Sequence, residues 1–222
     1  MLSNYRETIS GVSLVIEFLN TVGEQFLRNS LLELTAVVFA IIYLVLAVRE
    51  NIFCWFAAGI STLIFLFIFW DVKLYMESGL QVYYFVMAVF GWYQWRLASD
   101  GSTSLQISMW SMRQHLIALA LIALLTLLSG YLLNSGTDAQ LPYLDSFTTW
   151  ASVVTTYMVA RKVLENWIYW LVIDSISIYL YIDRELYFTA MLFAVYIVII
   201  FFGWFSWSKK YQPNMKAVYS MP

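Results

Sequence analysis

Residues 165–181 read ENWIYWLVIDSISIYLY, and the reading of this stretch decides the fold. It is apolar enough to cross a bilayer. Yet Asn166, Trp170, Asp174, Ser177 and Tyr181 recur along it at steps of four, four, three and four. At about 100° per residue these positions share one face of one helix. Lipid does not reward a carboxylate, an amide and a hydroxyl, so such a stripe should face a polar interior. The stretch predicts a membrane-spanning helix whose polar and aromatic face forms one wall of a substrate site.

The whole chain agrees with a lipid environment. Its 222 residues are 62% hydrophobic and 19% aromatic, with only 12% charged, and the mean hydropathy is +0.73. Soluble domains carry roughly 25% charged residues. A net charge of −2 with no basic tract gives no nucleic-acid footprint. Cys54 is the only cysteine and His115 the only histidine, which excludes an intrachain disulfide and argues against a thiolate or histidine metal centre. Glu7, Glu17 and Glu24 interrupt any signal-peptide core near the start.

Outward from the quoted stretch, seven apolar runs lie at 31–48, 53–70, 79–97, 113–133, 146–162, 166–183 and 186–207. Each is near the ~20 residues that a bilayer requires. Before them, residues 9–27 place Val12, Val15, Ile16, Leu19, Val22 and Phe26 on one face, with Glu17, Asn20, Thr21 and Glu24 opposite. This predicts an amphipathic interfacial helix, with an eighth span as the alternative.

The fourth run is bracketed by polar loops near 98–112 and 134–145, and the two flanking regions resemble each other. Glu50-Asn51-x-x-x-Trp55 precedes FGWYQW at 90–95; Glu165-Asn166-x-x-x-Trp170 precedes FGWFSW at 202–207. Both motifs return in the same order and at nearly the same offset, the second pair standing slightly closer than the first. This is an internal repeat of three helices. Three helices, one linker span and three more give parallel repeats related by an axis along the membrane normal. The expected fold is all-α and integral to the membrane, in a 3+1+3 plan. It divides into 1–28 (interfacial helix), 29–97 (first bundle), 98–145 (linker with central span), 146–208 (second bundle) and 209–222 (cytoplasmic tail). Arg49, Arg96, Arg113, Arg161, Lys162, Lys209, Lys210 and Lys216 collect on one side, which predicts a cytoplasmic C-terminus and an outside N-terminus.

Asp174 is the only ionisable residue in the middle of a span. Two readings stay open: a substrate or cation contact, or a hydrogen bond between helices. The third run has a matching stripe of Gln81, Tyr84, Ala88, Trp92 and Trp95. Gln81 offers a donor and an acceptor, and Trp92 stacking surface. Trp95 and Trp207, beside basic residues, read as interfacial belt aromatics, and Trp170, a turn deeper, as a site position. Asn51 and Asn166 each precede a tryptophan by a turn and lean toward ligand contact. Ala57, Ala58, Gly59 and Ser61 permit close helix packing. There is no phosphate-binding glycine loop, nucleophile elbow or metalloprotease motif, so neither an enzyme nor a bound cofactor is expected. Aromatics, amides, hydroxyls and one carboxylate suit a flat, hydrogen-bonding, cationic solute.

LQVYY at 80–84, GWYQW at 91–95, ARKVLENWIYWLVIDSISIYLYI at 160–182 and LYFTA at 186–190 resemble the PnuC family of nicotinamide riboside transporters. The resemblance covers roughly 30–210. It implies a relative of the SWEET carriers in the bacterial inner membrane. It further implies uptake of nicotinamide riboside by facilitated diffusion through alternating access, and a homotrimer. The pyridinium, carboxamide and ribose of that substrate match the aromatics, Asp174, Gln81 and Asn166. The expected substrate contacts are Gln81, Tyr84, Asn166, Trp170 and Asp174, then Asn51, Trp92, Ser177 and Tyr181. The alternative is a proton-coupled carrier of another nucleoside-like, vitamin or sugar solute.

Overall fold

The computed structural model describes residues 20, 21, 23, 24, 31–71, 75–97, 105–136, 141–183 and 187–212. From Leu31 on, seven helices follow one another among the described residues: α1 (Leu31–Val48), α2 (Cys54–Asp71), α3 (Tyr75–Leu97), α4 (Met112–Gly136), α5 (Pro142–Ala160), α6 (Asn166–Asp183) and α7 (Tyr187–Lys210). They coincide with the seven apolar runs to within a few residues at each end. The expected interfacial helix over 9–27 lies outside the described residues, apart from Asn20, Thr21, Gly23 and Glu24, which are helical.

Leu31–Val48, Met112–Gly136 and Thr189–Lys210 are each long and apolar enough to cross a membrane, with mean hydropathies of 2.6, 2.5 and 2.1. Polar stripes lower the mean of helices such as α3 and α6, but only one face is affected. On α3, Val82, Val86, Val89 and Tyr93 are exposed; on α6, Ile168, Val172, Tyr179 and Ile182 are. Aliphatic side chains outward and polar ones inward is the pattern of a protein solvated by lipid.

The helix starts have local causes. At α4 the Ser111 N–H donates to Gln114 Oε1 at 2.8 Å, and the Gln114 N–H donates back to Ser111 Oγ at 3.4 Å. This is a capping box in which two orphan N–H groups are satisfied reciprocally. Pro142 opens α5, where its fixed φ suits the first turn and its missing N–H costs nothing.

α2 packs against both α1 and α3, and α6 against both α5 and α7. Between these two groups, α3 packs on α5 and α1 on α7. The six helices therefore close a ring in the order α1, α2, α3, α5, α6, α7. The helix α4 sits outside it, packed on α5. The segment before α4 is sewn to the α5–α6 turn: the Ser108 N–H donates to Lys162 O at 3.0 Å and the Leu164 N–H to Ser108 O at 2.8 Å.

The two halves match at the constant offset that separates Glu50 from Lys162. The Glu50 N–H donates to Ala47 O at 2.9 Å, and the Lys162 N–H to Val159 O at 3.0 Å. The Asn51 N–H donates to Leu46 O, and the Val163 N–H to Met158 O, both at 2.9 Å. Glu50 and Lys162 have φ of 55° and 52°, a left-handed conformation that non-glycine residues adopt at a cost of about 1–3 kcal/mol. Beyond each turn a tryptophan lies flat on a glycine: Trp55 on Gly91 and Trp167 on Gly203. Trp55 meets Trp95 edge-on at 5.4 Å and 84°, and Trp167 meets Trp207 at 5.3 Å and 87°.

This register corrects the sequence pairing. Glu50-Asn51 and Glu165-Asn166 are not equivalent; Glu50 corresponds to Lys162, Cys54 to Asn166 and Trp55 to Trp167. The similar letters are displaced by three positions, close to one helical turn. A ring packed on bare glycine backbone admits one register, whereas a polar dipeptide at a helix end does not fix one.

Candidate substrate site

The stripe on α6 faces inward. Asn166 is fully buried, Asp174 is 3% exposed and Ser177 is buried, while Trp170 and Tyr181 are half-buried. The α3 stripe also turns inward at Ala88 and Trp95, both buried, with Gln81 and Tyr84 half-buried. A carboxylate this deep normally has a partner. Among the described residues, Asp174 has no hydrogen-bond or ion-pair partner.

Tyr84 of α3 and Tyr196 of α7 both lie within electrostatic reach of the Asp174 carboxylate, and each also faces Tyr181. Ser152 of α5 is also a neighbour of the Tyr84 hydroxyl. Tyr43 of α1 lies within electrostatic reach of Tyr84. Helices α3 and α7 thus contribute phenols to the surroundings of the carboxylate. Tyr43, Tyr84 and Tyr196 sit deep among protein atoms yet retain accessible surface, as residues lining internal space do. The described Lys and Arg residues lie in turns or in the end turns of helices, and none is on this wall. A buried carboxyl group with phenols nearby has the chemistry to hold a cation and to hydrogen-bond its substituents.

Asn166 sits at the start of α6, about two helical turns from Asp174. Its Nδ2 donates to Val163 O at 2.6 Å, and its Oδ1 is buried without a partner among the described residues. Trp170 links this level to the next, packed against the clusters around Trp167 and around Ile122, Ala151 and Ile173.

Two candidates lie elsewhere. Asn51 is exposed, and its Oδ1 accepts the Phe53 N–H at 2.9 Å, so it caps the α1–α2 turn. Trp92 lines an outward apolar groove of about 420 Å³ with Phe85, Val86, Val89, Phe90 and Tyr93. The Arg96 guanidinium lies 5.1 Å above its ring.

Trp95 and Trp207 are not belt aromatics. They are 4% and 0% exposed. The Trp95 indole N–H donates to Ala160 O at 3.2 Å, and the Trp207 N–H to Ala47 O at 3.1 Å. Those carbonyls belong to the last turns of α5 and α1, where helices leave acceptors unsatisfied. Each third helix thereby hooks the first helix of the opposite half. The same end carries a charge clasp: Lys162 Nζ lies 2.8 Å from Glu50 Oε2, and Lys210 Nζ 2.9 Å from Glu50 Oε1. Burial alone would push the Glu50 carboxyl up; the hydrogen bonds and charges of the two lysines overcome this and hold it below its usual range.

The lone histidine is also structural. His115 Nδ1 lies 2.9 Å from the Tyr169 hydroxyl and its Nε2 3.4 Å from Glu165 Oε1, which ties the start of α4 to the first turn of α6. Near it a second groove, about 320 Å³, is lined by Gln106, Trp110, Gln114, Tyr157 and Arg161 among others. Tyr196, Tyr43 and Ser152 escaped the sequence reading. Tyr196 was within reach of it, because it follows Tyr84 at the same offset as the second GW motif follows the first.

Residues 30–209 match the family described as nicotinamide mononucleotide transporter. The chain belongs to that family. It is a membrane transporter and not an enzyme. It is 28% identical over 181 residues to the nicotinamide riboside transporter PnuC of Escherichia coli, covering 70% of this chain and 74% of that protein. It is 25% identical over 188 residues to the riboflavin/roseoflavin transporter RibM of Streptomyces davaonensis, covering 82% of this chain and 86% of the relative. The crystal structure of the vitamin B3 transporter PnuC superposes with a TM-score of 0.67 at 22% identity, over 88% of this chain and 90% of that one. The fold of this transporter is that fold.

Proposed function

We propose that this transporter carries nicotinamide riboside across the bacterial inner membrane by facilitated diffusion. The observation that carries the proposal is Asp174, buried in the membrane-spanning α6 with the phenols of Tyr84 and Tyr196 within electrostatic reach. A pyridinium supplies the missing positive charge, and its carboxamide and ribose hydroxyls suit Tyr84, Tyr181, Gln81, Asn166 and Ser177. Trp170 offers a stacking face beside them. The family description names a mononucleotide, but a phosphate needs a cation, and no described Lys or Arg stands on this wall.

Two bundles, 29–97 and 146–208, with 98–145 as linker, form parallel repeats in a 3+1+3 plan. They alternate access to the site between them. The constant offset between the halves and the ring order of the helices support this plan. The end bearing Glu50, Lys162, Lys209 and Lys210 faces the cytoplasm, in keeping with its basic residues. A homotrimer follows from the family resemblance, and the molar mass of the detergent-solubilised protein tests it.

The decisive experiment measures binding and proteoliposome uptake of nicotinamide riboside, its mononucleotide and its uncharged dihydro form. The riboside should bind best, and Asp174→Asn should weaken it at least tenfold while leaving the dihydro form little changed. No binding by folded protein, or a preference for the mononucleotide, refutes the proposal. The RibM similarity favours a second reading, a flavin, and riboflavin belongs in the same assay. Proton coupling through Asp174 predicts accumulation driven by a pH gradient; equal final levels with and without the gradient exclude it.

A further inference from the structure

The apolar groove on α3 and the polar groove before α4 adjoin each other. The first runs along α3 from Phe85 to Tyr93, with Val86, Val89 and Tyr93 about half exposed. That length of helix rises about 12 Å, most of the roughly 15 Å of hydrocarbon in one leaflet. The second lies between the segment leading into α4 and the end of α5, where Gln106, Trp110, Gln114, Tyr157 and Arg161 line it. Two contacts join them. The Phe90 ring of the first stacks on the Tyr157 ring of the second, with 6.2 Å between centroids and 16° between planes. One turn further along both helices, Arg161 Nη1 donates to Gln94 Oε1 at 3.3 Å. The apolar groove therefore ends beside the polar one, at the basic end of the ring.

Charge across the pair is one-sided. Arg161 spends an N–H on Gln94 and makes no ion pair among the described residues, so most of its guanidinium donors remain. Arg96, in the last turn of α3, lies over Trp92 of the apolar groove. Among the described residues no carboxylate lines either groove. Glu165, which accepts the Trp110 N–H at 3.4 Å, is buried, and its other oxygen lies 3.4 Å from His115 Nε2.

We propose that the joined grooves bind an anionic phospholipid, with an acyl chain along Val86, Val89 and Tyr93 and the headgroup phosphate at Arg161. A guanidinium matches phosphate in geometry and charge. A basic pocket beside tryptophan at a membrane edge is where anionic headgroups are held. Bulk lipid wets any outward apolar face, but a headgroup site needs fixed donors at the right depth, and the polar groove supplies them in line with the apolar one. A lipid seated there bridges the segment before α4 to α5. The site does not depend on which solute is transported.

The delipidated full chain in detergent is titrated with phosphatidylglycerol, phosphatidylcholine and the water-soluble headgroup glycerophosphoglycerol, and bound molecules are counted by native mass spectrometry. Phosphatidylglycerol should fill a single site per chain and bind more tightly than phosphatidylcholine, and the free headgroup should bind far more weakly than either. Arg161→Ala should weaken phosphatidylglycerol about tenfold, the effect of one lost charge-assisted contact. Val89→Trp, which fills the apolar groove from an exposed position, should weaken both lipids. Arg49→Ala makes the same charge change in the α1–α2 turn and should leave phosphatidylglycerol affinity unchanged. Phosphatidylglycerol should also raise the thermal midpoint of the parent chain more than that of Arg161→Ala. Unchanged phosphatidylglycerol affinity in Arg161→Ala or in Val89→Trp overturns the inference. Equal binding of lipid and free headgroup overturns it in favour of a simple phosphate site. Binding that appears only when an oligomer dissociates overturns it in favour of an interface between copies of this chain.

Discussion

Adding a single methyl group at Gly203 tests the register on which the ring depends. A Cβ there would stand 2.6 Å from three atoms of the Trp167 ring. That ring cannot retreat easily: Trp167 is 2% exposed and held edge-on by Trp207 at 5.3 Å. Overpacking a rigid core costs about 1–3 kcal/mol, and this geometry belongs at the upper end. Alanine returns about 1 kcal/mol through its better helix propensity. The net is a loss of about 2 kcal/mol, or about 4–8 °C in Tm for a chain of this size. Gly79 is the control, since nothing lies within 4 Å of its added Cβ. There the propensity gain acts alone and should raise Tm by about 2–4 °C. Tryptophan fluorescence during thermal unfolding in detergent measures both. Gly91→Ala should behave like Gly203→Ala, because Trp55 covers Gly91 in the same way. If Gly203→Ala and Gly79→Ala shift Tm in the same direction, the packing argument and the register built on it are wrong.

The other predictions concern the ends of the ring. Glu50 has its pKa lowered from 4.5 in the folded chain, so its pairing stabilises the fold above about pH 4.5 and this contribution is lost as pH falls through the lower folded value. Glu50→Gln should therefore lower Tm near neutral pH and flatten its fall in acid; an unchanged acid limb counts against the clasp. Trp207→Phe removes the donor to Ala47 O at 3.1 Å from a fully buried position and should cost about 1–3 kcal/mol in equilibrium unfolding, far more than a belt tryptophan would. His115→Ala leaves Tyr169 and Glu165 without their partner on α4. Hydrogen exchange at Ser108 and Leu164, whose N–H groups close the adjoining bridge, should accelerate; unchanged exchange would show that the tie is not needed.

The sequence alone determined the solvent and the helices, and it showed a likeness between its two halves without fixing their register. Apolar runs of bilayer length leave few alternatives, since backbone groups in lipid must be satisfied within the helix. The quoted stretch also announced which of its faces turns inward, because a stripe of Asn166, Trp170, Asp174, Ser177 and Tyr181 has no place against lipid. Partners were not legible in that way. Hydropathy places Trp95 and Trp207 near a membrane edge, but a carbonyl on another helix decides that they are buried hooks. Glu50 and Lys162 belong to opposite halves of the chain, and only the closing of the ring brings them to 2.8 Å. Asn51 shares a motif with Asn166 and Trp92 fits a stripe by spacing, yet Asn51 caps a turn and Trp92 lines an outward groove. Tertiary structure decided these points because each turns on a contact between distant helices, and the period of a single helix carries no information about what stands opposite it.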